Sequence, residues 1–73
     1  MIHLTDDELE YLDGLMQGIE TSIMEDVCIL STYALCELVD YDGDCIYLDL
    51  EFDNNGKRYY ENFLIDRSNM ELL

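Results

Sequence analysis

The chain has 73 residues, 49% of them hydrophobic, and a formal net charge of −15 from 18 acidic and three basic residues. This length predicts a single small acidic domain over residues 1–73, and the charge excludes direct binding of nucleic acid, which needs clustered lysine and arginine. Lys57 is the first cation, so 15 of the 18 carboxylates precede any positive charge. We therefore expect the partner to be a basic protein surface.

The composition predicts a folded cytoplasmic protein. Disordered acidic segments lack aromatic residues, whereas this chain has six tyrosines and two phenylalanines. Neither a signal-peptide pattern nor an apolar run long enough to span a bilayer is evident, so we expect no membrane contact. The odd cysteine count favours reduced thiols over disulfides.

A helix is predicted to begin at Thr5. Thr5 and Glu8 form a capping-box pattern, and Leu4 and Leu9 occupy the positions of a hydrophobic staple. Apolar residues then recur at helical spacing and predict one buried stripe. They are Leu9, Leu12, Met16, Ile19 and Ile23.

Two glycines interrupt the helix on its outer side. Gly14 and Gly18 lie one turn apart, and each destabilises a helix by ~1 kcal/mol relative to alanine. Either the helix ends near Gly18, or another segment packs closely against the glycines.

The sequence of residues 22–40 is compatible with either a helix or a strand. Ser22 and Glu25 repeat the capping-box pattern, which would give two helices followed by a β-hairpin. Its many β-branched and aromatic residues favour a strand instead, and Asp42-Gly43 is a turn signal directly after it. We prefer a strand that ends near Asp40.

The stretch Asp40–Asp53, DYDGDCIYLDLEFD, alternates acidic and apolar residues. It predicts a strand whose side chains at 46, 48, 50 and 52 face the core, while Asp49, Glu51 and Asp53 project the other way. Asn55-Gly56 marks a tight hairpin, and 58–66 reads as the returning strand.

A two-residue turn at Asn55-Gly56 also fixes the pairing of these strands. It sets Phe52 against Tyr59, Leu48 against Phe63 and Ile46 against Ile65, and it leaves Glu61 opposite Leu50. The predicted fold is α+β, an N-terminal amphipathic helix packed on a three-stranded antiparallel β-meander. The tail from Ser68 is expected to form a short helical turn or to fray.

Catalysis and cofactors are not supported by the sequence. The single histidine, His3, stands near the N-terminus, and no nucleophile is placed beside it by any pattern. The three cysteines, Cys28, Cys36 and Cys45, are too widely spaced for a zinc site. We expect no enzymatic activity, no cofactor and no bound metal.

Calcium binding is the alternative with the most specific pattern. Four acidic residues match the first, third, fifth and twelfth positions of an EF-hand loop, namely Asp40, Asp42, Asp44 and Glu51. The position that needs glycine is Cys45, and the Asn55-Gly56 turn follows too soon for an exiting helix. We therefore prefer an acidic hairpin turn without metal.

The acidic rows predict an inhibitor that occupies the basic groove of a nucleic-acid-binding enzyme. Side chains on one side of a strand repeat every ~6.8 Å, about two base steps of DNA. Small phage inhibitors of the anti-CRISPR and anti-restriction type act by such DNA mimicry, and the comparison is one of type only.

The predicted partner-binding residues combine carboxylates with tyrosines, because tyrosine favours interfaces. They are Asp6, Asp7, Glu10, Asp13, Asp40, Tyr41, Asp42, Asp44, Tyr47, Asp49, Glu51 and Asp53. The alternatives are an immunity protein or antitoxin that neutralises a basic toxin, and a small regulatory subunit. The sequence is compatible with a monomer or a homodimer.

Overall fold

A computed structural model describes residues 3–26, 28 and 31–73. Within them, the helix α1 (Asp6–Glu25) precedes four strands, β1 (Ala34–Tyr41), β2 (Cys45–Asn54), β3 (Lys57–Asp66) and β4 (Glu71–Leu72). The strands form one antiparallel sheet in the order β1-β2-β3-β4. The predicted α+β fold, a helix packed on an antiparallel meander, is confirmed. The tail differs, because it adds a two-residue fourth strand.

Helix α1 begins where the sequence predicts. The Thr5 hydroxyl accepts the Glu8 amide at 3.1 Å, and the Glu8 carboxylate accepts the Thr5 amide at 2.9 Å. The apolar stripe is confirmed in its centre, where Leu12 is buried, but Leu9 is 45% exposed. Leu15 packs against the core beside Leu12.

Neither explanation offered for the two helical glycines is correct. The helix continues through Gly14 and Gly18 to Glu25. A Cβ atom at either glycine would meet nothing within 4 Å. The helix persists beyond the glycines because Ile19 and Ile23 pack on the core, and this burial outweighs the low helix propensity of glycine.

The core lies between α1 and one face of the sheet. Strand β2 supplies the alternating side chains predicted for it, and its inward residues Ile46, Leu48, Leu50 and Phe52 are buried. Cys36 from β1 and Ile65 from β3 complete this layer.

The β2–β3 hairpin has the predicted register. Phe52 pairs with Tyr59, Leu48 with Phe63, and Ile46 with Ile65. The turn residues Asn55 and Gly56 have φ values of 54° and 81°, as a two-residue hairpin turn with two left-handed residues requires.

A bulge in β1 changes the orientation of Tyr41. The β1–β2 register shifts between Leu38 and Asp40, and one extra residue reverses the side to which later side chains point. Tyr41 therefore opposes Ile46 and packs against the core. The strand preferred for the ambiguous segment is present, and it ends at Tyr41.

The helix crosses the sheet diagonally. Near its N-terminus, the Tyr11 hydroxyl donates to the carbonyl of Met70 at 3.4 Å, close to β4. In its C-terminal half, the Glu20 carboxylate accepts the amide of Cys36 in β1 at 2.7 Å. This path leaves Glu61 and the middle of β3 uncovered.

Arg67 joins the N-terminal end of the helix to the β1–β2 turn. Its guanidinium forms an ion pair with Glu8, with Nε and Oε2 2.8 Å apart, and donates to the carbonyl oxygens of His3 and Asp42. This ion pair and the Thr5 amide hold the pKa of Glu8 at about 2. Among the described residues, no helix has the length and apolar character needed to cross a bilayer.

Candidate functional site

The candidate site lies on the face of the sheet that α1 does not cover, which we call the open face. Because side chains alternate along each strand, the registers of β1, β2 and β3 place one set of residues there. They are Leu35, Glu37, Asp40, Tyr47, Asp49, Glu51, Asp53, Arg58, Tyr60, Asn62 and Leu64.

Two carboxylates face each other at the centre of the open face. Glu37 of β1 is paired directly with Asp49 of β2, and Asn62 of β3 lies on the far side of Asp49. Both carboxylates are exposed, and within the described residues neither forms an ion pair. Like charges directly opposite on neighbouring strands destabilise a sheet.

Arg58 neutralises two of the three carboxylates in the row predicted along β2. Its guanidinium forms ion pairs with Glu51, at 2.8 Å, and with Asp53. It also lies 4.7 Å from the centre of the Tyr33 ring. Of the three carboxylates predicted to form a row along β2, Asp49 alone is unpaired among the described residues.

The β1–β2 turn uses its central carboxylate to hold its own backbone. Asp42 Oδ1 accepts the amides of Asp44 and Cys45 at 2.8 and 2.7 Å, and these bonds lower the pKa of Asp42. Its other oxygen accepts the Tyr47 hydroxyl at 3.3 Å. Residues 40–51 thus form a β-hairpin and not the helix-flanked loop of an EF-hand.

Two depressions in the sheet border the central carboxylates. One, of about 340 Å³, is lined by residues that include Leu35, Glu37, Asp49 and Tyr60. The other, of about 560 Å³, is lined by residues that include Asp40, Asp42 and Asp49. Among the described residues, every charged side chain lining either depression is acidic, so each would favour a cationic group.

The predicted helix carboxylates belong to a different surface. Asp6, Asp7, Glu10 and Asp13 are exposed on α1, which packs on the other face of the sheet. Asp13 accepts a hydrogen bond from Gln17 at 3.3 Å. Of the twelve predicted residues, the structure places four on α1, five on the open face, two (Asp42 and Asp44) in the β1–β2 turn, and Tyr41 against the core.

Glu37 is the carboxylate at the centre of the site that the sequence-based prediction missed. The segment around it was ambiguous, and the signal that finds it is the strand alternation of Leu35, Glu37 and Val39. Tyr60, which is also absent from the predicted site, is 72% exposed on the open face.

Within the described part of the chain, no three histidine, cysteine, aspartate or glutamate side chains cluster in a way that would hold a metal ion. Comparison with protein-family models, curated proteins and solved structures finds no match for this chain.

Proposed function

We propose that this protein binds a basic surface of a nucleic-acid-binding enzyme and blocks access of nucleic acid to it. The observation that carries the proposal is the Glu37–Asp49 pair at the centre of the open face. The pair opposes folding, and a partner's cation placed between the two carboxylates would relieve that repulsion.

The charge of the whole molecule supports the same proposal. Three of the 18 carboxylates, Glu8, Glu51 and Asp53, form ion pairs among the described residues. Solubility alone needs a net charge of only about 2 to 8, whereas this chain carries −15. An excess of one sign accelerates encounter with a surface of the other sign.

Arg58 changes the form of mimicry that we propose. Because it pairs with Glu51 and Asp53, the row along β2 is not a continuous line of free charge. The unpaired carboxylates run instead across the strands, from Asp49 to Glu37 and on toward the β1–β2 turn. The partner is then recognised by a compact acidic patch.

A second candidate is an immunity protein or antitoxin that neutralises a basic toxin. Tyr60 and Tyr47 are exposed on the open face beside the central carboxylates. Tyrosines beside charged groups are common binding hot spots, and this arrangement suits recognition of one partner's shape. We also propose a cytoplasmic location, where the three free cysteines stay reduced.

The experiment that tests the proposal uses the tagged protein as bait in a bacterial lysate, with and without excess duplex DNA. We expect the main partner to be a nucleic-acid enzyme that DNA displaces. A basic partner that DNA does not displace would favour the second candidate. Capture that is unchanged by the double substitution Glu37→Gln and Asp49→Asn would contradict both.

A further inference from the structure

The two edges of the sheet differ in how they are protected. On β1, a bulge between Leu38 and Asp40 breaks the regular edge, and the Glu20 carboxylate occupies the amide of Cys36. Bulges and charged side chains are devices that prevent an edge from pairing with another strand. Along residues 58–62 the outer edge of β3 has no bulge. Its charged side chains there are Arg58, which is held by Glu51 and Asp53, and Glu61, which would oppose a strand that brings no cation.

The backbone of β3 shows which groups that edge presents. The Leu73 amide donates to the Leu64 carbonyl at 2.8 Å, so the backbone groups of Leu64 point away from β2. Because this direction alternates along an antiparallel strand, Tyr60 and Asn62 also direct their N–H and C=O groups outward. Among the described residues, β4 reaches only the end of this edge, pairing with Ile65 and Asp66.

A groove lies next to this edge on the helix side of the sheet. It has a volume of about 350 Å³, and its lining includes Gly14, Gly18, Leu50 and Phe63. A Cβ at either glycine would enter open space. Side chains that point toward α1 from a strand added beside β3 would therefore find room and apolar contacts there.

The charge of the groove defines the chemistry of its occupant. Glu61 is the one charged residue lining it within the described chain, and it points toward the helix side because it opposes Leu50. An occupant that covers Glu61 without a cation would leave a buried, unpaired carboxylate. A second copy of the chain also has a net charge of −15. Electrostatic repulsion therefore disfavours the pairing of two copies through this edge.

We propose that the outer edge of β3 binds an extended, basic segment of a partner protein as an additional strand. Backbone hydrogen bonds to Tyr60 and Asn62 would supply affinity. Apolar side chains of the segment would fill the groove beside Gly18, and a lysine or arginine would face Glu61. The side chains of Tyr60 and Asn62 border the Glu37–Asp49 patch. The inference rests on the backbone of β3 and on the groove on the helix side of the sheet, so it does not depend on the proposed function.

The test uses a capped ten-residue peptide with lysine at the even positions and valine at the odd positions, except for a lysine at position 5, so that the face toward α1 carries valines and one cation. Amide hydrogen exchange, followed by NMR, should slow at Tyr60 and Asn62 by at least about tenfold when the peptide saturates the protein. Two further peptides carry N-methyl groups on alternate residues, one set on odd and the other on even positions. In one of these two peptides the methyl groups replace the N–H groups that face β3, and in the other they replace the N–H groups that face solvent. The two peptides should therefore differ in affinity by about tenfold or more.

Variants of the protein provide matched controls. Asn62→Pro removes an outward amide, which an edge strand tolerates, and Asn62→Ala retains it. Gly18→Leu fills the groove, and Thr21→Leu adds the same side chain elsewhere on the helix. We expect Asn62→Pro and Gly18→Leu to weaken peptide binding at least about tenfold, and the two controls to change it less than about threefold.

Three results would overturn the inference. The first is equal affinity of the two N-methylated peptides. The second is peptide binding by Gly18→Leu at wild-type strength, with its melting temperature confirming that it is folded. The third is protection of Tyr60 and Asn62 that grows with protein concentration in the absence of peptide, because the occupant would then be a second copy of the chain.

Discussion

The two faces of β2 share one backbone and have opposite chemistry. Leu48 and Leu50 point toward α1 and are almost completely buried, whereas Asp49 between them is exposed on the open face. The inward residues hold the fold together through apolar burial. Asp49 faces the like charge of Glu37 and opposes the fold. The inward side chains of β2 therefore stabilise the fold, and its outward carboxylate is available for binding.

The largest effect is expected on the buried face. Leu48→Ala should lower the free energy of unfolding by about 2–5 kcal/mol, because it removes buried methyl groups and leaves a cavity. Tyr47→Ala, the neighbouring position on the open face, serves as the control and should cost much less. Urea unfolding followed by circular dichroism measures both, and equal losses would remove the distinction between the faces.

Thiol chemistry distinguishes the covered layer from the surface. Burial, reinforced by the nearby Glu20, raises the pKa of the Cys36 thiol to about 11, from an ordinary value of 9.0. At pH 8 its thiolate population should be about a hundredfold below that of an unperturbed thiol, and its reaction should therefore be slower. The exposed Cys28 should react first with a thiol reagent, as mass spectrometry of single-cysteine variants would reveal. Equal rates in the folded protein would contradict the burial of Cys36.

A gain in stability is expected on the open face. Asp49→Asn should raise the free energy of unfolding by roughly 0.2–1 kcal/mol, because it removes a like-charge pair. The gain should shrink as salt screens the repulsion. Asp53→Asn, on the same strand and face, should instead destabilise the protein because Arg58 binds this carboxylate. If both variants lose stability, the Glu37–Asp49 pair is not repulsive.

Glu8 is a carboxylate that stabilises the folded state, and its contribution should depend on pH. Its pKa falls from 4.5 to about 2 through the Arg67 guanidinium and the Thr5 amide. A lowered pKa stabilises the folded state above the unfolded value and loses that contribution as the pH falls. The melting temperature of wild type should exceed that of Glu8→Gln above about pH 4.5, and the difference should vanish near pH 2. A difference that is constant over this range would exclude the ion pair.

Local patterns in the sequence were sufficient for the parts of the fold that local chemistry determines. The capping box gives the helix start, and Asn55-Gly56 with its flanking alternation gives the whole β2–β3 register. As predicted, this register places the charged Glu61 opposite the buried Leu50. This pairing is tolerated because α1 runs toward β1 and leaves Glu61 exposed to solvent.

Contacts between distant residues limited the prediction of the site. The bulge that turns Tyr41 toward the core arises from the pairing of β1 with β2, and no residue in this part of the sequence predicts it. Arg58 lies five and seven residues from the carboxylates it neutralises, across a turn whose geometry decides the contact. Arg67 and Glu8 are 59 residues apart. The short β4 follows Met70, whose φ of 58° is uncommon for a residue other than glycine.

The affinity of the captured partner for two variants of equal charge would show whether the open face binds that partner. One carries Glu37→Gln and Asp49→Asn, and the control carries Glu25→Gln and Asp13→Asn, which are exposed on α1 and therefore lie off the open face. If the open face binds the partner, the first variant should lose at least about tenfold in affinity and the control less than about threefold. Equal losses in the two variants would mean that net charge alone drives binding, and would contradict the account.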